Sequence, residues 1–207
     1  MLDTTTSQPT NVHRGAVRIL ATGAGAGLAW GISMRAWMRF ISTSPEFSWS
    51  GTLFILGASV IAGTVLAYAW HRRRVGGAGF WRLSFASLLL LGAGGAVMWP
   101  SVTLGAIAFG LRRPTWLRLL LALGAVAAQI PVIGGIADNW RFGPGEIALA
   151  TVWYAPMLAF EAWAFSVAFA PSVDGARTPG RVRNILIVVM VGAVGLIAVL
   201  ALGLGDM

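Results

Sequence analysis

The chain contains no cysteine, no lysine and only seven acidic residues among 207. Disulfides, thiolate nucleophiles and cysteine metal sites are therefore excluded, and cysteine usage gives no clue to redox compartment. His71 lies beside an arginine cluster at the end of an apolar run, with no second histidine nearby in sequence. Histidine-rich metal motifs, serine-nucleophile elbows, phosphate-binding loops and intramembrane-protease dyads are all missing. The sequence thus points to no catalytic residue, metal or cofactor. Charge is scarce too: 11% of residues are charged, against roughly a quarter in soluble domains.

What is abundant is hydrocarbon. Hydrophobic residues make up 57% of the chain and the mean hydropathy is +0.77. Fifteen arginines give a net charge of +8. In a soluble protein that balance would suggest nucleic acid, but here the arginines fall at the ends of apolar runs. They read as topology markers and contacts to anionic headgroups, so membrane lipid is the expected partner and nucleic acid is not. Exclusive use of arginine, with abundant alanine and glycine, suggests a GC-rich bacterial genome.

A helix crosses the ~30 Å hydrocarbon core with about 20 apolar residues. Runs of that kind predict spans at Ala16–Met34, Gly51–Trp70, Trp116–Ala137, Ile147–Ala170 and Asn184–Leu204. Residues 1–15 read as a disordered cytoplasmic tail and 16–204 as one transmembrane domain with short loops. The first run exceeds a signal-peptide core and lacks a small-x-small cleavage site, which predicts a retained span.

Residues 83–111 are ambiguous. As one helix they would extend about 43 Å, too long without strong tilt, and Trp99-Pro100-Ser101 interrupts them, where proline removes a donor and clashes with the preceding turn. If this stretch crosses once, arginines 14, 18, 72, 73, 74, 82 and 141 face one side and 35, 39, 112, 113, 118, 177, 181 and 183 the other, with no bias. If it returns to its own side, only 35, 39 and 141 are left outside. The positive-inside rule selects the second arrangement. The expected fold is an all-α polytopic bundle of about seven membrane-embedded helices: five full spans plus a proline-broken or re-entrant hairpin with its tip at Trp99–Ser101, and a cytoplasmic amino terminus. Trp37, Trp49, Trp70, Trp81, Trp99, Trp116 and Trp140 fall near expected span ends, as in an aromatic belt.

Three groups of residues stand out. The first is the segment from Ser33 to Thr52, in which Met34, Trp37, Met38 and Ile41 continue a helical stripe with Arg35 and Arg39 on another face. Ser44, Pro45 and Glu46 then resemble an N-cap, N1 and first-turn acid for the second span. An interfacial anchor is the plain reading. A partner-docking or lipid surface formed by Arg35, Trp37, Arg39, Glu46, Phe47 and Trp49 is the sharper one, with Glu46 pairing with Arg35 or Arg39. The run Arg35, Trp37, Met38, Arg39, then Pro45, Glu46, Phe47, Ser48, Trp49, Gly51 and Thr52 resembles a segment of actinobacterial polytopic membrane proteins with no assigned activity. That resemblance covers about a tenth of the chain and implies an inner-membrane location and nothing catalytic.

The second is Glu161, the one acid deep within an expected span. An ionisable group there costs roughly 2.5–3.5 kcal/mol on insertion scales and marks a functional position by default. Tyr154 shares its helix face, and Gln129 on the preceding span lies at a depth that permits a hydrogen bond, so Glu161, Gln129 and Tyr154 form a candidate intramembrane polar site. A simple packing hydrogen bond between helices is the alternative. The third is Gly23, Gly27 and Gly31, two successive G-x-x-x-G steps suited to close helix packing, within the chain or with a second copy. The favoured expectation is a non-enzymatic accessory or structural subunit that packs with itself or with other membrane proteins. A small transporter or channel using Glu161 and Gln129 at the midplane is the alternative. A lipid-modifying enzyme ranks third because paired acid and base groups are missing.

Overall fold

A computed structural model describes residues 10–43, 47–75, 80–94, 96–111, 114–138 and 142–170, and every element among them is helical. Four helices are long and apolar enough to cross a membrane: Gly15–Ile41, Trp49–Arg74, Thr115–Ala137 and Pro144–Ala168. They coincide with four of the five full spans expected. The fifth, Asn184–Leu204, lies outside the described residues, as do Glu46, Trp140, Arg112, Arg113 and Arg141.

Helix α1 (Thr10–Ile41) is longer than expected at both ends. It takes in Thr10–Gly15, assigned above to the disordered tail, because extending an existing helix gains one hydrogen bond per residue fixed. At the other end the Met34, Trp37, Met38, Ile41 stripe continues the same helix, with Met34 and Trp37 buried. Helix α2 (Trp49–Arg74) begins two residues before the expected span and after the expected start at Ser44, Pro45 and Glu46, which lie outside the described residues. Its N-cap is Ser48, extended at φ −120° and ψ 119°, whose Oγ accepts from Gly51 N–H. Ser48 displaces Ser44 from that role because a cap must stand two or three residues before the amide it satisfies.

The pairing of α1 with α2 is antiparallel and close. A Cβ on Gly23 would collide with the Gly63 carbonyl and Ala67, one on Gly27 with the Ser59 carbonyl, and one on Gly31 with the Ser59 side chain. Lipid tails supply no hydrophobic drive between helices, so this backbone approach is what joins the pair. Ser59 fits the seam by donating its hydroxyl to its own Ile55 carbonyl at 2.6 Å, leaving no unpaired polar group facing glycine.

Next come α3 (Phe80–Leu83), α4 (Ser87–Gly94) and α5 (Trp99–Gly110), joined by single 3-10 turns at Ser84–Ala86 and Ala96–Met98. Then α6 (Thr115–Ala127) and α7 (Ile130–Ala137) form one span broken at Ala128 and Gln129, where Pro131 in the first turn of α7 can donate no backbone bond. Helix α8 (Pro144–Phe165) follows a Gly143 cap whose amide donates to Glu146 Oε2 at 3.0 Å.

Side-chain bonds fix the path. Trp30 Nε1 donates to Met157 O and Trp37 Nε1 to Ala150 O, so α8 runs antiparallel to α1. Its carboxy end reaches the Arg74 end of the bundle, where Trp163 stacks on Trp70 at 5.2 Å. Gly105 abuts Ala162 and Gly110 abuts Phe169, so α5 runs parallel to α8 toward that same end. Ser101 bonds Ala125 O and Arg118 Nε bonds Ala108 O, so α6 leaves antiparallel to α5. Since α3 starts beside the carboxy end of α2, the chain from Phe80 to Gly110 enters the bundle and returns to the end it left.

This corrects the expected break. Pro100 does not kink a helix; it occupies the first turn of α5, where a missing amide costs nothing. The turn at Ala96–Met98 stands just before the expected Trp99–Ser101 tip, and its two limbs pack on different partners, α4 on α2 and α5 on α6 and α8. The second limb, of 12 residues, is too short for a full span, as partial penetration requires, and the helices long enough to cross number four among the described residues.

The glycine seam makes a paired prediction. Gly27→Ala should destabilise the fold by about 1–3 kcal/mol through overpacking, whereas Gly25, whose Cβ would meet nothing within 4 Å, should tolerate alanine or gain up to about 1 kcal/mol of helix propensity. Denaturant titration in mild detergent, followed by circular dichroism, measures both.

Candidate functional site

Helix α5 is the innermost element: Ser101, Val102, Thr103, Gly105, Ala106, Ile107, Ala108 and Gly110 are all buried. Alternating small and β-branched residues let α6 and α8 approach it from two sides. The α6/α7 break then serves α5. Gln129 Nε2 donates to Ser101 Oγ and reaches Val97 O at 3.5 Å, while Ser101 Oγ donates to Ala125 O at 2.5 Å. One amide and one hydroxyl thus tie the two broken segments together.

Gln129 is therefore not the partner of Glu161. Its amide nitrogen is committed to Ser101 and Val97, nearer the depth of Tyr154 than of Glu161. Gln129, Ser101 and Tyr154 line a cavity of about 580 Å³ between α5, α6 and α8, with Arg118 near one end and Ala162 in the wall. Tyr154 is 2% exposed and stacks flat on Trp37 at 4.4 Å and 12°.

Glu161 is 0% exposed, and neither carboxylate oxygen has a hydrogen-bond partner among the described residues. It lies one turn from the end of α8, nearer than Tyr154 to the Arg74 end of the bundle. Thr103 Oγ1, Tyr154 Oη, Gln129 Oε1 and Trp70 Nε1 are likewise buried without a partner. The α5/α8 register puts Thr103 at the depth of Glu161. Sequence reasoning missed Ser101 and Thr103; two hydroxyls just after Pro100 in an otherwise apolar run were the available signal. Among the described residues no group of three His, Cys, Asp or Glu side chains stands close enough to hold a metal.

The outer aromatic segment divides. Trp37 belongs to the core, 2% exposed, with its indole bonded to Ala150 O at 2.9 Å and its ring on Tyr154. It is no part of a surface, because an indole can bury its ring once its N–H finds a carbonyl. Arg35 Nε donates to Thr52 Oγ1 at 3.1 Å, tying the end of α1 to the start of α2. The Arg39 guanidinium lies over Phe47 at 5.2 Å, and Phe47 meets Trp49 edge-on at 4.7 Å. Trp49 is 71% exposed, and it is Arg39, Phe47 and Trp49 that remain as a surface group.

Comparisons with protein-family models, with curated proteins and with solved structures give no match. Function must be argued from the geometry alone.

Ser101 offers a direct check on the interior network. Ser101→Ala removes the acceptor for Gln129 and the donor to Ala125 O, and should cost about 1–3 kcal/mol for the polar groups left unpaired. The same substitution at Ser50, an exposed residue, should change stability by less than about 0.5 kcal/mol. Denaturant titrations of the two variants in one detergent give the comparison.

Proposed function

We propose that this chain is a multi-pass protein of a bacterial cytoplasmic membrane that carries a proton or small cation, with Glu161 as the binding group. The observation that carries this reading is a fully buried carboxylate with no hydrogen-bond donor or basic partner among the described residues. Charge balance requires a positive species there: a bound cation if the group is ionised, a proton if it is neutral. Buried acids in membranes are costly and serve ion and proton pathways. Two broken segments meeting at Gln129 and Ser101 resemble the discontinuous helices that build midplane sites in transporters. On this reading Thr103 and Tyr154 supply further oxygens along the route.

The topology proposed with it has a cytoplasmic amino terminus, a re-entrant Phe80–Gly110 segment and the Arg72–Arg74 and Arg118 ends in the cytoplasm, in line with the positive-inside rule. The accessory-subunit reading is kept for one reason: α6 buries none of its residues, and Trp116, Leu119, Leu123 and Val126 along it are exposed. A second membrane protein seated there would cover that apolar face in place of lipid.

Reconstituted proteoliposomes loaded with a proton-, sodium- or potassium-sensitive dye and challenged with the matching gradient separate the readings. The carrier reading predicts flux that Glu161→Gln abolishes and Gln129→Leu weakens. Absence of flux under all three gradients, or equal flux in the Glu161→Gln protein, would reject it in favour of the accessory subunit.

A further inference from the structure

A second cavity, about 400 Å³, opens at the Arg74 end between α1, α2, α4 and α8, within the ~300–1,000 Å³ typical of small-ligand sites. Its chemistry is divided along its length. Arg18, His71 and Arg74 stand at the mouth, while Leu66, Leu90, Phe160 and Trp163 form the walls. The floor is the α1/α2 seam itself, where Gly23, Gly27 and Gly63 present backbone instead of side chains.

We propose that this cavity holds one anionic phospholipid from the leaflet at the Arg74 end, its headgroup phosphate between Arg18 and Arg74 and an acyl chain along the glycine floor. Charge complementarity selects this occupant. Of the described acids, Asp138 and Glu146 lie at the opposite end and Glu161 is sealed inside, so no described carboxylate accompanies the two guanidinium groups. Phosphate is the anion that arginine pairs with best, through two parallel N–H···O bonds. Trp70 lines the same cavity, and its buried Nε1 has no hydrogen-bond partner among the described residues. A free anion would account for the arginines but not for the aromatic walls; a neutral lipid would account for the walls but not for the arginines. The proposal stands apart from ion carriage at Glu161, since none of these mouth residues is used there.

The test uses the full chain in phosphatidylcholine vesicles doped with phosphatidylglycerol brominated on its acyl chain, with brominated phosphatidylcholine as comparator. The difference in fluorescence between wild type and Trp163→Phe isolates the ring in the cavity wall. Half-quenching should need about tenfold less brominated phosphatidylglycerol than brominated phosphatidylcholine, as two arginines at a membrane surface warrant. The double variant R18Q/R74Q should erase that preference, and Ala26→Phe, which fills the cavity without touching charge, should remove quenching by both lipids. Equal quenching of the wild type by the two lipids would overturn the proposal whatever the variants do. Reversal of quenching by inorganic phosphate would overturn it too, by assigning a free-anion site.

Discussion

Hydrocarbon offers no hydrogen bonds, so backbone that leaves the helix inside a membrane must be covered by protein or line a cavity. This constraint organises the bundle. Its two breaks, at Ala96–Met98 and at Ala128–Gln129, lie against each other, and Gln129 and Ser101 supply the donors and acceptors that the broken turns lack. Separated, each break would expose unpaired backbone. Together they permit a short buried helix, α5, to sit where a full span would otherwise be needed.

The remaining helices hold that arrangement in place by contrasting means. Helices α1 and α2 join through glycine and serine, with backbone against backbone and nothing to catch. Helix α8 is held off α1 by two tryptophans whose indoles bond its carbonyls. That spacing leaves room beside α8 for both the sealed carboxylate of Glu161 and the amphipathic cavity below Trp70. Small residues make one seam tight, large ones make the other wide, and the interior sites lie along the wide seam.

Four of the five full spans were legible in the sequence because crossing ~30 Å of hydrocarbon takes a run of apolar residues that little else requires. The return of the third segment was legible in the arginines alone, and the path of α3, α4 and α5 through the bundle follows it. Trp37 was not legible: an indole near a helix end looks the same in sequence whether it meets headgroups or a neighbouring helix carbonyl. Ser44 and Ser48 are both sound caps on local grounds, and only the position of the first satisfied amide separates them. Spacing along the two spans allowed Gln129 and Glu161 to meet, but the broken backbone beside Ser101 claims the amide and holds it nearer Tyr154. Glu161 was visible as a lone acid, whereas its lack of a hydrogen-bond partner among the described residues is a property of packing that no spacing reveals.

The account rests on a chain that enters the membrane after α2 and comes back out on the side it entered. Because the protein contains no cysteine, single thiols can be placed without background. Val75→Cys and Thr115→Cys, which bracket the returning segment, should react with a membrane-impermeant maleimide from one and the same face of oriented vesicles, and Ser50→Cys from the opposite face. Labelling of positions 75 and 115 from opposite faces would contradict the account.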